Sequence, residues 1–513
     1  MSNKVKGVLK NAFIVAVLTL LSRVLGLVRE MLQSRLIGAG VEQSAFTLAF
    51  AIPNMMRKLF GEGALTSAFV PIFKSTVEED GLEAANKLSR AVMTMVLLLL
   101  GAIISFSLAG TLTALRFANS YRAKLILELV AILLPYMLAI CGAAFGMGVL
   151  NALGRFKASG FMPAFLNIVW IFSLFVLLFF PGVSLASRIR FVSAMILLGG
   201  FLQMAFMFYC MRRAGVAILP SFSWWKTEKV RLVWRNLGLA AIGTGAVQAN
   251  YMLDQVLGQM ASPWAAGVIG YAERLMDLPL GIIGVAFGTV LLPAFSGFFA
   301  HDDLDGAKTV FVSSLRNQIL VMLPASVGIC VLAPEIVNVI YEGGSFDSIS
   351  TLRVSRGLFV YSAGLCFFSI HKMLVPWFHA QKNMKTPLRV ALLTVCSNAA
   401  LNIAAVFLLP EEFRHVGLAA STVFCSFLGC ACLWCKAVSL TGSFGFFKIR
   451  NDIFKMVFCA VVMGLAVHFA GKALETDQEL LNLSMLVSLG AFVYGVLIFS
   501  FKLASLKSIL HKK

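Results

Sequence analysis

Apolar segments of about 20 residues recur along the whole chain, separated by short polar connections. A segment of that length crosses the hydrocarbon core of a bilayer as an α-helix, and counting the segments predicts about fourteen spans. The approximate centres are Thr19, Phe60, Leu99, Ala139, Phe172, Phe201, Val247, Ile282, Val327, Phe367, Leu393, Phe427, Met463 and Val493. The pattern predicts an all-α polytopic membrane protein without a separate soluble domain.

The composition agrees with this prediction. Of the 513 residues, 59% are hydrophobic and 13% are charged, and the mean hydropathy is +0.88. Soluble globular domains carry about twice that charged fraction. Lys4, Lys6 and Lys10 precede a long apolar run that Arg23 interrupts and that lacks a small-residue cleavage site. We therefore expect a retained first span and not a signal peptide.

The formal net charge of +19 lies in short loops between the apolar segments. A nucleic-acid-binding protein would gather such charge on one soluble face, so no nucleic-acid partner is expected. When the loops are assigned to alternate sides, most basic residues fall on the side of the N-terminus. The positive-inside rule then predicts that both termini are cytoplasmic.

The two halves of the chain contain similar motifs. FGEGALTSAFVPIF, which includes Pro71, aligns with IIGVAFGTVLLPAF, which includes Pro293. GRFKASGFMP, ending at Pro163, aligns with FHAQKNMKTP, ending at Pro387. The two offsets, about 222 and about 224 residues, indicate a duplication. Six spans separate Pro71 from Pro293, and an even number gives both copies the same orientation.

Parallel repeats of this kind are typical of transporters, in which the substrate site lies between the halves near the middle of the membrane. A basic stretch between spans six and seven marks the boundary between the halves. We predict a six-helix lobe at 1–220, a second six-helix lobe at 221–445 and two additional helices at 446–513.

The first two spans carry charges that hydrocarbon does not tolerate. Arg23, Arg29, Arg57, Lys58 and Glu62 all lie within apolar segments. One Arg or Lys at the bilayer centre costs about 2.5–3.5 kcal/mol on insertion scales. The basic side chains must therefore line a wet cavity or pair with an anion.

Two helix breaks are expected beside these charges, at Pro53, just before Asn54, and at Gly61-Glu62-Gly63. Lys58 and Glu62 have the i,i+4 spacing of an ion pair on one helix face. This leaves Arg57 without a local acid, and Arg29 and the adjacent Glu30 should point apart.

The second half offers Glu273, Arg274 and Asp277 at the start of span eight. Glu273 and Asp277 share a helix face, and Arg274 has the i,i+3 spacing to reach Asp277. Arginines that outnumber local acids predict a bound anion, because a guanidinium grips phosphate bidentately and keeps its charge. In the alternative, single arginines snorkel to the membrane interface or tie helices together.

A second polar set could ligate a hard cation such as sodium, or carry a proton at Asp254. Its members are Asp254, Asn398, Asn402 and Thr422. Asn250 and Asp254 share one helix face, as do Asn398 and Asn402, each pair at i,i+4. Interhelical hydrogen bonding is the alternative for these groups.

No catalytic constellation was found. His301, His379 and His415 lie in or near loops without a paired acid, and His371 and Lys372 in span ten either face the cavity or snorkel. Cys432 and Cys435 form a CxxC that lacks a second ligand pair, so the cysteines are interpreted as small apolar residues in helices. We expect a transporter and not an enzyme.

At SRVLGLVRE, AFAIPNMMRKLFGEGALTSAFVPIF and YAERLMDLPLGIIGVAFGTVLLP, together with the KTP before span eleven, the chain resembles the MurJ/MviN family. The resemblance covers nearly the whole chain. It implies a MATE-like fold of fourteen helices, in the wider group of multidrug, oligosaccharidyl-lipid and polysaccharide exporters. It also implies that spans thirteen and fourteen form a groove for a polyprenyl tail.

The function implied is flipping of lipid II, the undecaprenyl-pyrophosphate-linked peptidoglycan precursor, from the cytoplasmic to the periplasmic leaflet of the bacterial inner membrane. The family's cavity arginines fall on Arg23, Arg29, Arg57 and Arg274, with Asn54, Glu62, Lys58 and Glu273 beside them. Its sodium site falls on the Asp254, Asn398, Asn402 and Thr422 set. Ser44 stands where many members carry an acid.

The expected partners are lipid II and membrane lipids, and we expect a monomer that associates with cell-wall synthesis proteins. No cofactor is expected beyond sodium or a proton as coupling ion. Two rival interpretations remain at this point: a MATE-like exporter of drugs or of another polyprenyl-linked glycan, and a membrane scaffold that transports nothing.

Overall fold

The structure is a computed structural model that describes residues 3–59, 65–222, 228–473 and 478–503. Within these ranges side chains are described except at 3–13, 15–16, 66, 239–244, 246–247, 282–290 and 448. Every regular element in the described ranges is a helix, and the extended pairing found there is one isolated bridge between Gly343 and Phe346. The predicted all-α class is confirmed.

The chain divides into two compact units, and the first extends to Gln259 and also includes Gly343–Phe346. Its core contains the buried rings of Phe69, Phe145 and Trp170. The helices are α1 (Asn3–Ile37), α2 (Val41–Met56), α3 (Leu65–Glu79), α4 (Gly81–Phe117), α5 (Tyr121–Leu133), α6 (Tyr136–Ala152), α7 (Phe156–Leu178), α8 (Leu185–Arg213) and α9 (Glu228–Ala261).

The second unit runs from Met260 to Glu342 and resumes at Asp347. Phe295, Phe311 and Trp377 are buried in its largest core cluster. The helices are α10 (Ala265–Ala300), α11 (Leu304–Val331), α12 (Ala333–Tyr341), α13 (Ser348–Ala363), α14 (Leu365–Ala380), α15 (Lys385–Leu408), α16 (Glu411–Thr441), α17 (Phe447–Ala473) and α18 (Glu479–Ser500). The predicted lobes at 1–220, 221–445 and 446–513 remain predictions.

Helices that could cross a membrane dominate both units. Among the described residues, nine helices are long and apolar enough by length and composition, or ten if α13 and α14 form one bent span. Apart from Phe60, which lies outside the described residues, every predicted span centre lies within a helix. The total of fourteen spans stays a prediction.

Two interruptions within spans have local causes. Pro135 lies between α5 and α6, where it removes one backbone N–H from the helical ladder. Gly364 lies at the 45° bend between α13 and α14. A Cβ atom at Gly364 would lie 2.7 Å from a methyl carbon of Val423, so the close packing against α16 requires glycine.

Candidate functional site

Two helices of the first unit, α1 and α7, hold Arg29 between them. The Arg29 Nη1 donates to Asn167 Oδ1 at 2.9 Å, and the guanidinium carbon lies 4.2 Å from the centre of the Trp170 ring. Asn167 Nδ2 donates in turn to the backbone oxygen of Ser22 at 2.9 Å. Asn167 and Trp170 are three residues apart on α7, so both face the same stretch of α1.

Arg29 also forms an ion pair with Glu30. The expectation that these neighbours point apart is therefore wrong. Both side chains are long enough to curl toward the same buried side, and only 11% and 12% of their side-chain surfaces are exposed. Arg29 is a cation with a local acid, in a position where the pair is largely shielded from solvent.

The ring beneath Arg29 is fixed by a chain of amide hydrogen bonds. Trp170 Nε1 donates to Gln33 Oε1 at 2.8 Å, and Gln33 Nε2 donates to Gln43 Oε1 at 2.9 Å. Phe46 packs edge-on against Trp170. Our sequence interpretation missed Asn167, Trp170, Gln33 and Gln43. Each of the four is a polar or polar-tipped side chain within an otherwise apolar helix face, and this pattern could have identified them.

Arg57 lies where α2 ends. Its Nε and Nη2 both donate to Asn54 Oδ1, at 3.2 and 3.1 Å. The expected break at Pro53 is wrong, because α2 continues through the proline to Met56. Residues 57–59 instead form a π-helical turn, a feature that is common at functional sites.

Arg29 and Arg57 both lie in the neighbourhood of Tyr136. Both guanidinium groups lie close enough to the buried Tyr136 side chain to interact with it electrostatically. Tyr136 stacks against Phe50, which contacts Trp170 edge-on. Arg23 lies half-buried on α1, the helix that also carries Arg29.

Lys58 packs over the Tyr251 ring, with its ammonium nitrogen 4.8 Å from the ring centre. Tyr251 is on α9, so this cation–π contact joins the end of α2 to α9. Glu62, the expected partner of Lys58, lies outside the described residues, as does the predicted Gly61-Glu62-Gly63 break.

In the second unit, Glu273 and Arg274 lie on α10. Tyr361, a buried residue of α13, donates from its hydroxyl to Glu273 Oε1 at 3.2 Å. Arg274 and Asp277 are exposed on the same helix. The Glu273 carboxylate is thus held by α13, while the Arg274 side chain is exposed.

The predicted cation ligands fall into two groups. Asn402 Nδ2 donates to Asn398 Oδ1 at 2.9 Å, and Asn398 Nδ2 reaches Thr422 Oγ1 at 3.5 Å, which joins α15 to α16. In the first unit, Asn250 Nδ2 reaches Asp254 Oδ2 at 3.4 Å on α9. The described part of the chain contains no cluster of three or more His, Cys, Asp or Glu side chains that could hold a metal ion.

An apolar groove runs along α11, α12, α17 and α18. Its cavity of about 540 Å³ is lined by side chains such as Leu320, Ile336, Met463 and Ile498. Tyr494 is the polar-tipped residue of the wall, and its hydroxyl donates to the Leu320 backbone oxygen at 2.9 Å. The groove therefore offers an apolar surface suited to a hydrocarbon chain.

Solved structures with the same fold are transporters. A lipid II flippase MurJ in an inward closed conformation superposes with a TM-score of 0.78 at 23% identity, covering 95% of this chain and 98% of the other. An inward-facing multidrug resistance MATE family transporter of the MOP superfamily gives a TM-score of 0.67 at 14% identity, covering 87% and 98%. The predicted MATE-like fold is confirmed.

Sequence comparisons identify the family. A probable lipid II flippase MurJ from Rickettsia prowazekii is 30% identical, covering 96% of each chain, and one from Vibrio cholerae serotype O1 is 31% identical, covering 95% of each chain. The family model for lipid II flippase MurJ matches residues 33–488. The chain therefore belongs to the lipid II flippase MurJ family, whose members are multi-pass bacterial membrane proteins.

Proposed function

We propose that this protein flips lipid II from the cytoplasmic to the periplasmic leaflet of the bacterial inner membrane, and so acts as a transporter and not as an enzyme. The observation that carries the proposal is the largely buried guanidinium of Arg29, held by Asn167 and Trp170 within reach of the same Tyr136 side chain as Arg57. Family membership supports the same substrate.

The arginines suit a diphosphate for a physical reason. A guanidinium keeps its charge when desolvated and donates a planar fork of N–H groups that matches two phosphate oxygens. Arg29 rests on an aromatic ring and Arg57 on a side-chain amide, contacts that orient the two cations, and a diphosphate would compete with Glu30 for Arg29. We assign the diphosphate to Arg23, Arg29, Arg57 and Arg274, with Asn54, Lys58, Glu62 and Glu273 around them.

The apolar groove accounts for the other end of the substrate. A polyprenyl chain is excluded from a polar cavity and needs a continuous apolar surface. The groove along α11, α12, α17 and α18 provides one. We propose that the tail stays in this groove, formed by the two additional helices at 446–513, while the head group crosses.

Alternating access of the two six-helix lobes, 1–220 and 221–445, would move the head group. The bound diphosphate offsets the arginine charge and allows the lobes to close, and the other side then opens. A membrane potential of 100 mV is worth about 2.3 kcal/mol per charge moved, which is enough to bias such a cycle.

We further propose sodium as the coupling ion, with a proton at Asp254 as the other candidate. Asn398 and Thr422 belong to one hydrogen-bonded network, in which Asn398 Nδ2 reaches Thr422 Oγ1, and carbonyl and hydroxyl oxygens are ligands that hard cations prefer. Asn402 and Asp254 complete the proposed set. The protein would act as a monomer with both termini in the cytoplasm, near the cell-wall synthesis proteins that use its product.

Native mass spectrometry with lipid II tests the assignment of the diphosphate. The site variant changes Arg23, Arg29, Arg57 and Arg274 to alanine. A matched control removes the same charge from exposed positions, by changing Arg116, Arg212, Arg231 and Arg235 to alanine.

We expect the wild type and the control to bind lipid II and the site variant to lose binding. Equal binding by the two variants would contradict the site. Failure of the wild type to bind lipid II, or to translocate it in reconstituted vesicles, would contradict the proposed function.

A further inference from the structure

Besides the apolar groove, the second unit contains a cavity of about 640 Å³ where α11 and α17 end and where α12 and α16 begin. Leu352, Phe359 and Phe413 line this cavity, and each of the three residues is between 43% and 54% exposed. The residues that line it differ from those of the apolar groove. Large apolar side chains exposed around a cavity mark an interaction site, and on a membrane-spanning chain they face lipid.

Arg356 of α13 and His468 of α17 bring polar groups to the wall of this cavity. Arg356 Nη1 forms an ion pair with Glu412 Oε1 at 2.7 Å, and the guanidinium carbon lies 5.2 Å from the centre of the Phe413 ring. The side chains of Arg356 and Glu412 are 33% and 61% exposed. The cavity wall therefore carries a cation whose partner acid is accessible from outside the protein.

The pairing of Arg356 with Glu412 restricts the charge of a ligand. A purely anionic group at Arg356 would lie beside the Glu412 carboxylate, and like charges at that distance repel. A zwitterion avoids the repulsion, because its anionic group binds Arg356 while its cationic group binds Glu412. A primary ammonium donates hydrogen bonds to a carboxylate, whereas a quaternary ammonium has no N–H group to donate. The cavity and its charged pair therefore fit an apolar chain that ends in a phosphate and a primary ammonium.

We propose that this cavity binds a zwitterionic phospholipid with a primary ammonium in its head group, of the phosphatidylethanolamine class. The phosphate binds Arg356 and His468, the ammonium binds Glu412, and an acyl chain lies along Leu352 and Phe359. Because α17 packs against α11 and α18, a phosphate that binds both Arg356 and His468 joins α17 to α13 as well. The site does not use lipid II and does not rest on the proposed function.

Native mass spectrometry of the delipidated full chain tests the choice of head group. Phosphatidylethanolamine, phosphatidylglycerol and phosphatidylcholine with identical acyl chains are added separately, and the bound lipid is measured. We expect phosphatidylethanolamine to bind about tenfold more tightly than the other two, the difference that one charge-assisted hydrogen bond provides. Tighter binding of phosphatidylglycerol would identify an anionic occupant, and equal binding of the three would indicate unselected acyl chains. Either result would overturn the proposal.

A matched pair of arginine variants locates the head group. Arg190 pairs with Glu128 at 2.7 Å in the first unit, so this ion pair has the same length as that of Arg356 but lies outside the cavity. Arg356→Gln should weaken phosphatidylethanolamine binding about tenfold, and Arg190→Gln should leave it unchanged. Glu412→Gln should remove the preference over phosphatidylglycerol, because the ammonium loses its carboxylate. Equal losses in the two arginine variants, or an unchanged preference in Glu412→Gln, would overturn the proposal.

Filling the cavity tests the position of the acyl chain. Val416→Trp adds volume to the wall formed by α16, whereas Val457→Trp makes the same change at an exposed position of α17 outside the cavity. We expect Val416→Trp to weaken phosphatidylethanolamine binding at least as much as Arg356→Gln does, and Val457→Trp to leave it unchanged. Equal binding by the two tryptophan variants would overturn the cavity as the binding site. If Val416→Trp melts well below the wild type, the charge variants decide the proposal.

Discussion

The polar cluster around Arg29 in the first unit and the amide cluster of Asn398, Asn402 and Thr422 in the second both join one helix to its neighbour through side-chain hydrogen bonds. They differ in charge. The first holds a guanidinium between α1 and α7, with a carboxylate beside it. The second consists of neutral amides and a hydroxyl between α15 and α16.

That difference separates a site suited to an anion from one suited to interhelical bonding or to a cation. A neutral amide network can satisfy its donors and acceptors within itself, so interhelical hydrogen bonding is a sufficient reason for it to exist. A buried cation is costly in a membrane even when it is well oriented. The aromatic and amide contacts of Arg29 and Arg57 orient the two guanidinium groups, and an anionic ligand would compete with Glu30 for Arg29.

The largest effect is expected from removing the cation of the first cluster. Arg29→Gln should lower lipid II translocation by about 10- to 100-fold, because a hydrogen bond to a charged group is worth about 1.5–3 kcal/mol. The measurement is translocation in reconstituted vesicles, with Arg116→Gln at an exposed position as the control.

Arg29→Gln also leaves Glu30 without its ion-pair partner, and this could impair folding rather than transport. The Arg29→Gln/Glu30→Gln variant removes both charges and should melt close to the wild type, yet translocate as poorly as the single variant. Normal translocation by this double variant would refute a binding role for Arg29.

A smaller effect should follow from adding a competing acid. Asn167→Asp places a carboxylate where an amide oxygen now accepts a 2.9 Å bond from Arg29. The new charge should hold Arg29 more tightly and weaken lipid II binding about tenfold, while loss of the Nδ2 bond to the Ser22 backbone oxygen should lower the melting temperature. Asn167→Leu removes the acceptor without adding charge and should weaken binding less. Equal losses of affinity in the two variants would show that Asn167 acts by shape alone.

The fold was largely predictable from the sequence because bilayer thickness fixes the length of an apolar helix. The predicted span centres in the described residues all fall within helices. The expected break at Pro53 was wrong for a local reason. A proline removes one backbone hydrogen bond, and this loss does not end α2, which continues to Met56.

The site was predictable in its charges and less so in its partners. Insertion cost alone singles out Arg23, Arg29 and Arg57. Asn54 was named as a site residue only through the family resemblance. The contacts of Asn167 and Trp170 with Arg29 depend on how α1 packs against α7. The contacting residues are some 140 positions apart in the sequence, and helix periodicity does not indicate which helices pack together. The Arg29–Glu30 pair was missed because spacing rules describe Cβ directions and not the reach of long side chains.

The second cluster should affect stability and sodium dependence more than lipid II binding. Asn402→Leu removes the 2.9 Å bond to Asn398 on the same helix and should lower the free energy of unfolding by about 0.5–1.5 kcal/mol, the usual net contribution of one hydrogen bond. Denaturant or thermal unfolding measures this, with Ile403→Ala on the exposed side of α15 as a control. If Asn402→Leu instead abolished lipid II binding in a stably folded protein, the contrast between the clusters would be lost.

The smallest effect concerns sodium itself. A bound ion stabilises the folded state by RT ln(1 + [Na⁺]/Kd), which is about 0.4 kcal/mol when the sodium concentration equals Kd and increases with concentration. We expect the wild type to melt at a higher temperature in NaCl than in KCl at equal ionic strength, and Asp254→Asn and Asn402→Leu each to lose that difference. Equal melting of the wild type in both salts would leave the amide cluster with interhelical bonding alone, because a selective cation site must stabilise the state that contains it.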